Sequence, residues 1–109
     1  SFDAAKLSIA HLPEGCEDFV GSIYGLNFNA HLRNVIENNI KHLDTVKAAT
    51  DVCSVVEKNN NKLVKSILLE CTNLPPYKMD IRKISDLPIY DILTAIENEL
   101  PNSVQTNFL

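Results

Sequence analysis

The stretch Ile67-Leu68-Leu69-Glu70-Cys71-Thr72-Asn73-Leu74-Pro75-Pro76 gathers the residue types that could do chemistry in this chain. An apolar run ends in a thiol. Two small polar residues and two prolines follow, and a helical pattern opens behind them. The order reads as strand, turn, helix, with a cysteine at the switch. In open parallel α/β sheets, ligands bind at the carboxyl ends of the strands. A thiol beside a helix N-terminus also has a route to a lowered pKa, because the positive end of the helix dipole favours thiolate. A thiol tuned toward neutrality can serve as a general acid or base. Cys71 is therefore the candidate catalytic residue, and Thr72 or Asn73 the candidate cap of the helix that follows.

The competing reading of any free cysteine is a small buried hydrophobe. It wins for Cys53, which falls on the apolar stripe of a helical pattern. Cys16 lies in a turn between Gly15 and Glu17, where nearby carboxylates would raise its pKa, and it receives no catalytic role. An odd cysteine count without a C-x-x-C pair disfavours both a disulfide framework and a zinc site, and implies a reducing, cytoplasmic setting. His11, His31 and His42 show no ligand spacing with the cysteines, so no metal is expected. A cysteine hydrolase would need a base paired with the thiol, and no histidine stands near an expected strand end.

The elements that must position Cys71 follow from periodicity. Ala4, Leu7 and Ala10 mark a short helical segment closed by Pro13. Phe19 to Tyr24 reads as a strand, with Gly25 and Asn27 as its exit turn. Phe28, Leu32, Val35, Ile36, Ile40 and Leu43 make one continuous helical stripe, capped by Asn27. A second stripe over Val46, Ala49, Val52, Cys53 and Val56 is capped by Asp44 or Thr45 and ended by Asn59-Asn60-Asn61. Leu63 to Leu69 is the central strand, apolar on both faces as in a sheet covered on both sides. Tyr77, Ile81 and Ile84 give the next helix its apolar face. Leu87 to Tyr90 is a short strand, and Asp91 caps a last helix striped by Ile92, Leu93, Ile96 and Leu100 and ended by Pro101. Residues 102–109 read as a loose tail. Helical crossovers between strands predict α/β, a small parallel sheet flanked by helices.

With 109 residues the chain is a single domain, residues 1–109. Its 45% apolar and 22% charged residues are ordinary for a globular protein. A net charge of -4 with no basic cluster argues against nucleic acid. No apolar run is long enough to span a membrane, and Asp3 and Lys6 interrupt any signal-peptide core.

Glu70-Cys71-Thr72-Asn73-Leu74-Pro75 resembles the second cysteine motif of the aspartate/glutamate racemase superfamily, in which an apolar strand runs into Gly-Cys-Thr, often followed by His, an aromatic residue and Pro. Leu87-Pro88-Ile89-Tyr90-Asp91 resembles that family's short strand ending in Asp before a closing helix. The local resemblance covers residues 63–100; residues 1–62 fit only in layout. It implies one of the two α/β domains of a cofactor-independent amino-acid racemase, or of a related isomerase or decarboxylase of that superfamily. Each domain supplies one cysteine, and the two thiols exchange the α-proton on opposite faces. Cys71 would be one acid/base. Thr72 and Asn73 would hold the carboxylate of an amino acid or related substrate, and no cofactor is needed.

Glu70 stands where the family usually has a small Gly, and Asn73 where it frequently has His. Neither Cys16 nor Cys53 repeats the motif. The chain thus resembles the C-terminal portion of a longer two-domain protein. Its N-terminal domain, with the first cysteine, would be missing, and the piece alone would be inactive. A free sheet edge could drive homo-oligomers. The alternative expectation is a non-catalytic α/β binding or interaction domain with Cys71 as a buried structural residue.

Overall fold

The structure is a computed structural model that describes residues 1–11, 14–15 and 22–104. Four α-helices and a two-stranded parallel sheet make up its regular structure, a small α/β domain. The helices are α1 (His31–Glu37), α2 (Thr45–Lys58), α3 (Lys78–Arg82) and α4 (Ile92–Glu99). The strands are β1 (Ile67–Leu69) and β2 (Ile89–Asp91), paired in the register Ile67↔Ile89, Leu68↔Tyr90, Leu69↔Asp91. Pro88 lacks an N–H, but its carbonyl accepts from the Ile67 N–H at 2.9 Å and so opens the ladder.

Among the described residues, only one face of the sheet is covered. Leu69 and Ile89 are buried, whereas Leu68 and Tyr90, paired on the other face, are 68% and 53% exposed. This corrects the expectation of a strand buried on both sides. The expected strand Phe19–Tyr24 does not form over Ser22–Tyr24, which carry no regular structure; residues 19–21, like Cys16, lie outside the described residues.

The stripe expected from Phe28 to Leu43 is helical only over α1. Asn38 and Asn39 end it, and Asn39 adopts the left-handed conformation (φ 49°) that asparagine tolerates better than most residues. Phe28 and Ile40 are consequently exposed, while Leu32 is buried. Asn27 does not cap α1. Its side chain accepts from the Asn29 N–H one turn earlier, and the cap residue is Ala30. The N-terminal amides of α1 find their partner across space instead: the Leu32 N–H donates to Asp51 Oδ2 of α2 at 2.9 Å.

Helix α2 follows its periodicity. Asp44 Oδ1 accepts from the Val46 and Lys47 N–H groups, both at 3.1 Å. The Lys47 N–H above all, with the Val46 N–H, holds the Asp44 carboxyl below its ordinary range, against an opposing effect of desolvation. A depressed native pKa means that the cap supports folding above the unfolded carboxylate pKa, and the support fades as pH falls through the native one.

Ala48 and Val52 of α2, Tyr77 and Ile81 of the segment after Cys71, and Leu69 and Ile89 of the sheet close one core. Gly25 is needed there for a close approach, because a Cβ on it would stand 2.6 Å from the Ala4 nitrogen. Asn102 to Val104 are not loose: Glu97 accepts from the N–H groups of Asn102 and Val104. Residues 105–109 lie outside the described residues. Among the described residues, no helix is long and apolar enough to cross a membrane.

Candidate functional site at the carboxyl end of the sheet

Strand β1 stops at Leu69, and the chain turns at once. The Leu74 N–H donates to the Cys71 carbonyl at 3.0 Å and closes the turn. Cys71 is 8% exposed. Asn73 Nδ2 lies 3.7 Å from Cys71 Sγ, positioned to donate to the sulfur. Thr72 and Asn73 are themselves exposed. The turn thus places a shielded thiol beneath two solvent-facing polar side chains.

The expected capping by Thr72 or Asn73 does not occur. Pro75 and Pro76 open a tight 3-10 turn, Pro75–Tyr77, with Leu74 as its cap and no side-chain cap bond. The α-helix starts only at Lys78 and is five residues long. Two successive prolines fix φ and supply no N–H, which suits a helix entrance but delays the α geometry past them. The α-helix therefore begins six residues beyond Thr72 and not at the Cys71 turn, where the sequence reading places it.

Asp91 ends β2 in register with Leu69, so it shares the sheet end that carries the Cys71 turn. Its side chain is 1% exposed. Oδ1 accepts from the Thr94 N–H at 2.8 Å, and the Asp91 N–H donates to Thr94 Oγ1 at 3.0 Å, a reciprocal capping box. Oδ2 lies 3.7 Å from Lys78 Nζ. One buried carboxylate thus joins the start of α4 to the start of α3. Lys78 was not singled out by the sequence; its only signal was a cation seven positions after the cysteine. Asp91→Ala should lower stability by roughly 1–3 kcal/mol, because it removes a cap and leaves the Lys78 charge half-buried without its partner. Asp91→Asn, which keeps a capping oxygen, should cost clearly less. Urea unfolding of the two variants checks this order.

A groove of about 840 Å³ runs along β1 and α2, its wall formed largely by Leu26, Val52, Val56, Leu69 and Leu74. Glu70 and Tyr24 also line it. The Ser1 nitrogen donates to the Tyr24 carbonyl at 3.1 Å.

A second hollow, about 580 Å³, lies between α2 and α3 and contains Cys53 with Glu57, Asp80 and Lys83. Burial, then Asp80 and Glu57, push the Cys53 thiol up, against a smaller opposing effect of Lys83. It stays protonated near neutrality, a poor nucleophile.

Two curated proteins share 33% identity with the chain over 86 residues: dimethylsulfoniopropionate lyase 3 and dimethylsulfoniopropionate lyase 6 of Emiliania huxleyi. The similarity takes in 79% of this chain and 21% of each relative, so the chain covers about a fifth of the length of the curated relatives it matches. A dimethylsulfoniopropionate lyase of Durusdinium sp. clade D is 41% identical over 34 residues, 31% of this chain and 11% of that protein. No family model matches the chain, and neither does any solved structure. A span of 86 residues leaves only 23 of the 109 outside it, so the first two similarities include residues 24–86 and with them Cys71.

These names overturn the functional expectation. The chain was expected to be part of an isomerase, an aspartate/glutamate racemase; its relatives are named as lyases of a sulfonium compound, and no racemase family model matches. The error has a chemical root. A cysteine at a strand end speaks to moving a proton beside a carboxylate, but it carries no information on whether that proton returns or a group leaves.

Proposed function

We propose that the chain is a part of a dimethylsulfoniopropionate lyase and that Cys71 is its base. The observation that carries this reading is the shared 33% identity with two such lyases over a span that includes Cys71. The chemistry follows from the substrate's structure, a carboxylate separated by two carbons from a dimethylsulfonium group. The Cys71 thiolate takes a proton from the carbon beside the carboxylate. The electron pair of that C–H bond becomes the second bond of a C=C. The C–S bond breaks, and its electron pair leaves with the sulfur. The products are acrylate and neutral dimethyl sulfide, and the proton on Cys71 passes to water. The step needs neither oxidant nor reductant, and the reading calls for no cofactor.

Asn73 serves this step in two ways. Its Nδ2 carries two hydrogens. One can be donated to the Cys71 sulfur, 3.7 Å from Nδ2. The other would be donated to the substrate carboxylate, together with the hydroxyl of the exposed Thr72. Binding there by side-chain donors replaces the helix-dipole site that the sequence reading expected. Parts of the full-length protein outside this chain, which covers about a fifth of the relatives' length, would supply the remainder of the active site.

The test is dimethyl sulfide in the headspace over the full-length product of the gene that encodes this chain, incubated with dimethylsulfoniopropionate. Release well above the enzyme-free rate is expected. No release above that rate would reject the proposal.

A further inference from the structure

Glu70 follows strand β1 directly, and its exposed carboxylate forms no ion pair with another described residue. It lines the 840 Å³ groove together with Tyr24, against apolar walls that include Val52, Val56 and Leu74. A sulfonium or quaternary ammonium is a cation clothed in methyl groups. It offers no N–H to a hydrogen-bond acceptor, so proteins hold it by charge, by aromatic faces and by apolar contact. A carboxylate and a phenol ring on an apolar groove provide all three.

We propose that this groove holds the sulfonium end of the substrate, with Glu70 supplying the opposite charge and Tyr24 the aromatic face. The inference rests on the lyase reading for the identity of the substrate. The carboxylate end then lies toward Thr72 and Asn73, and the carbon that loses its proton lies between the two ends, beside Cys71. Glu70 and Cys71 are adjacent in the chain, so one strand end presents both the counter-charge and the base. The same arrangement lets product go: once the C–S bond breaks, dimethyl sulfide is neutral and has no charge for Glu70 to hold.

Calorimetric titration of the full-length protein tests the proposal with probes that differ in charge. The Cys71→Ser variant, in which turnover is expected to be slowed enough to titrate the substrate, is titrated with dimethylsulfoniopropionate, with β-alanine betaine, and with isocaproate, in which an uncharged isopropyl group stands in place of dimethylsulfonium. Glu70→Gln added to that variant should weaken binding of the two cationic probes by about fivefold, the range of a partly exposed charge pair, and leave isocaproate unaffected. Tyr24→Leu should weaken the cationic probes by about threefold. Equal losses for all three probes, or no loss for any, would overturn the sulfonium site. The two readings fail separately. A Glu70-dependent preference for cations without any dimethyl sulfide release would sink the lyase assignment alone. Dimethyl sulfide release with Glu70→Gln indifferent to probe charge would sink the groove proposal alone.

Discussion

Cys71→Ser is expected to lower dimethyl sulfide release from the full-length protein by about 10²- to 10⁴-fold, the usual contribution of a positioned acid/base group. Serine nearly matches cysteine in shape, so the turn closed by the Leu74 N–H should persist. Its hydroxyl, however, does not ionise near neutrality and cannot take the proton. Cys71 is almost fully buried, so a loss of activity through unfolding must be separated from a loss of the base. Circular dichroism and urea unfolding of the variant make that separation, and little change in either is expected. Activity within a few-fold of the parent would remove Cys71 from the reaction and favour the reading of a buried structural cysteine.

Ile81→Ala carries the second large effect, on stability. Ile81 is fully buried and sits in α3 against the core formed by α2 and the sheet. Removing its side chain should cost about 2–5 kcal/mol from lost transfer energy and the cavity left behind. Native stabilities run to about 5–15 kcal/mol, so this one change should shift the urea midpoint visibly. Met79, two positions earlier on the same helix, is 68% exposed, and Met79→Ala should change stability by no more than about 0.5 kcal/mol. The contrast tests the orientation of α3, and with it the anchorage of the Cys71 turn. Equal effects from the two variants would mean that α3 presents a different face to the core.

Local chemistry was the legible part of this sequence. Asp44 and Asp91 cap helices because a short acidic side chain followed by a periodic stripe meets free N–H groups wherever it occurs. The burial of Tyr77 and Ile81 followed from their i, i+4 spacing. Features that depend on distant partners were not legible. The Asp51 carboxylate at the start of α1 and the Lys78–Asp91 pair join residues far apart in sequence, and no pattern announces them. The stripe from Phe28 to Leu43 looked continuous because periodicity weighs apolar residues and ignores the left-handed turn that Asn39 takes. The two prolines were read correctly as a helix entrance, but not as a 3-10 turn that moves the α-helix to Lys78 and leaves Thr72 and Asn73 without a capping role. At the site, Cys71 was singled out from its place at a strand end, while Glu70 was noted only as a departure from the racemase motif; the role proposed for it here depends on a substrate with a positive end.

The most direct test of the account is the identity of the second product. Proton NMR of the full-length protein with dimethylsulfoniopropionate should show acrylate rising in step with dimethyl sulfide, the signature of proton removal followed by loss of sulfur. Appearance of hydracrylate in its place would mean that water displaces the sulfur, a reaction that needs no base at the carbon beside the carboxylate, and would contradict the role assigned to Cys71.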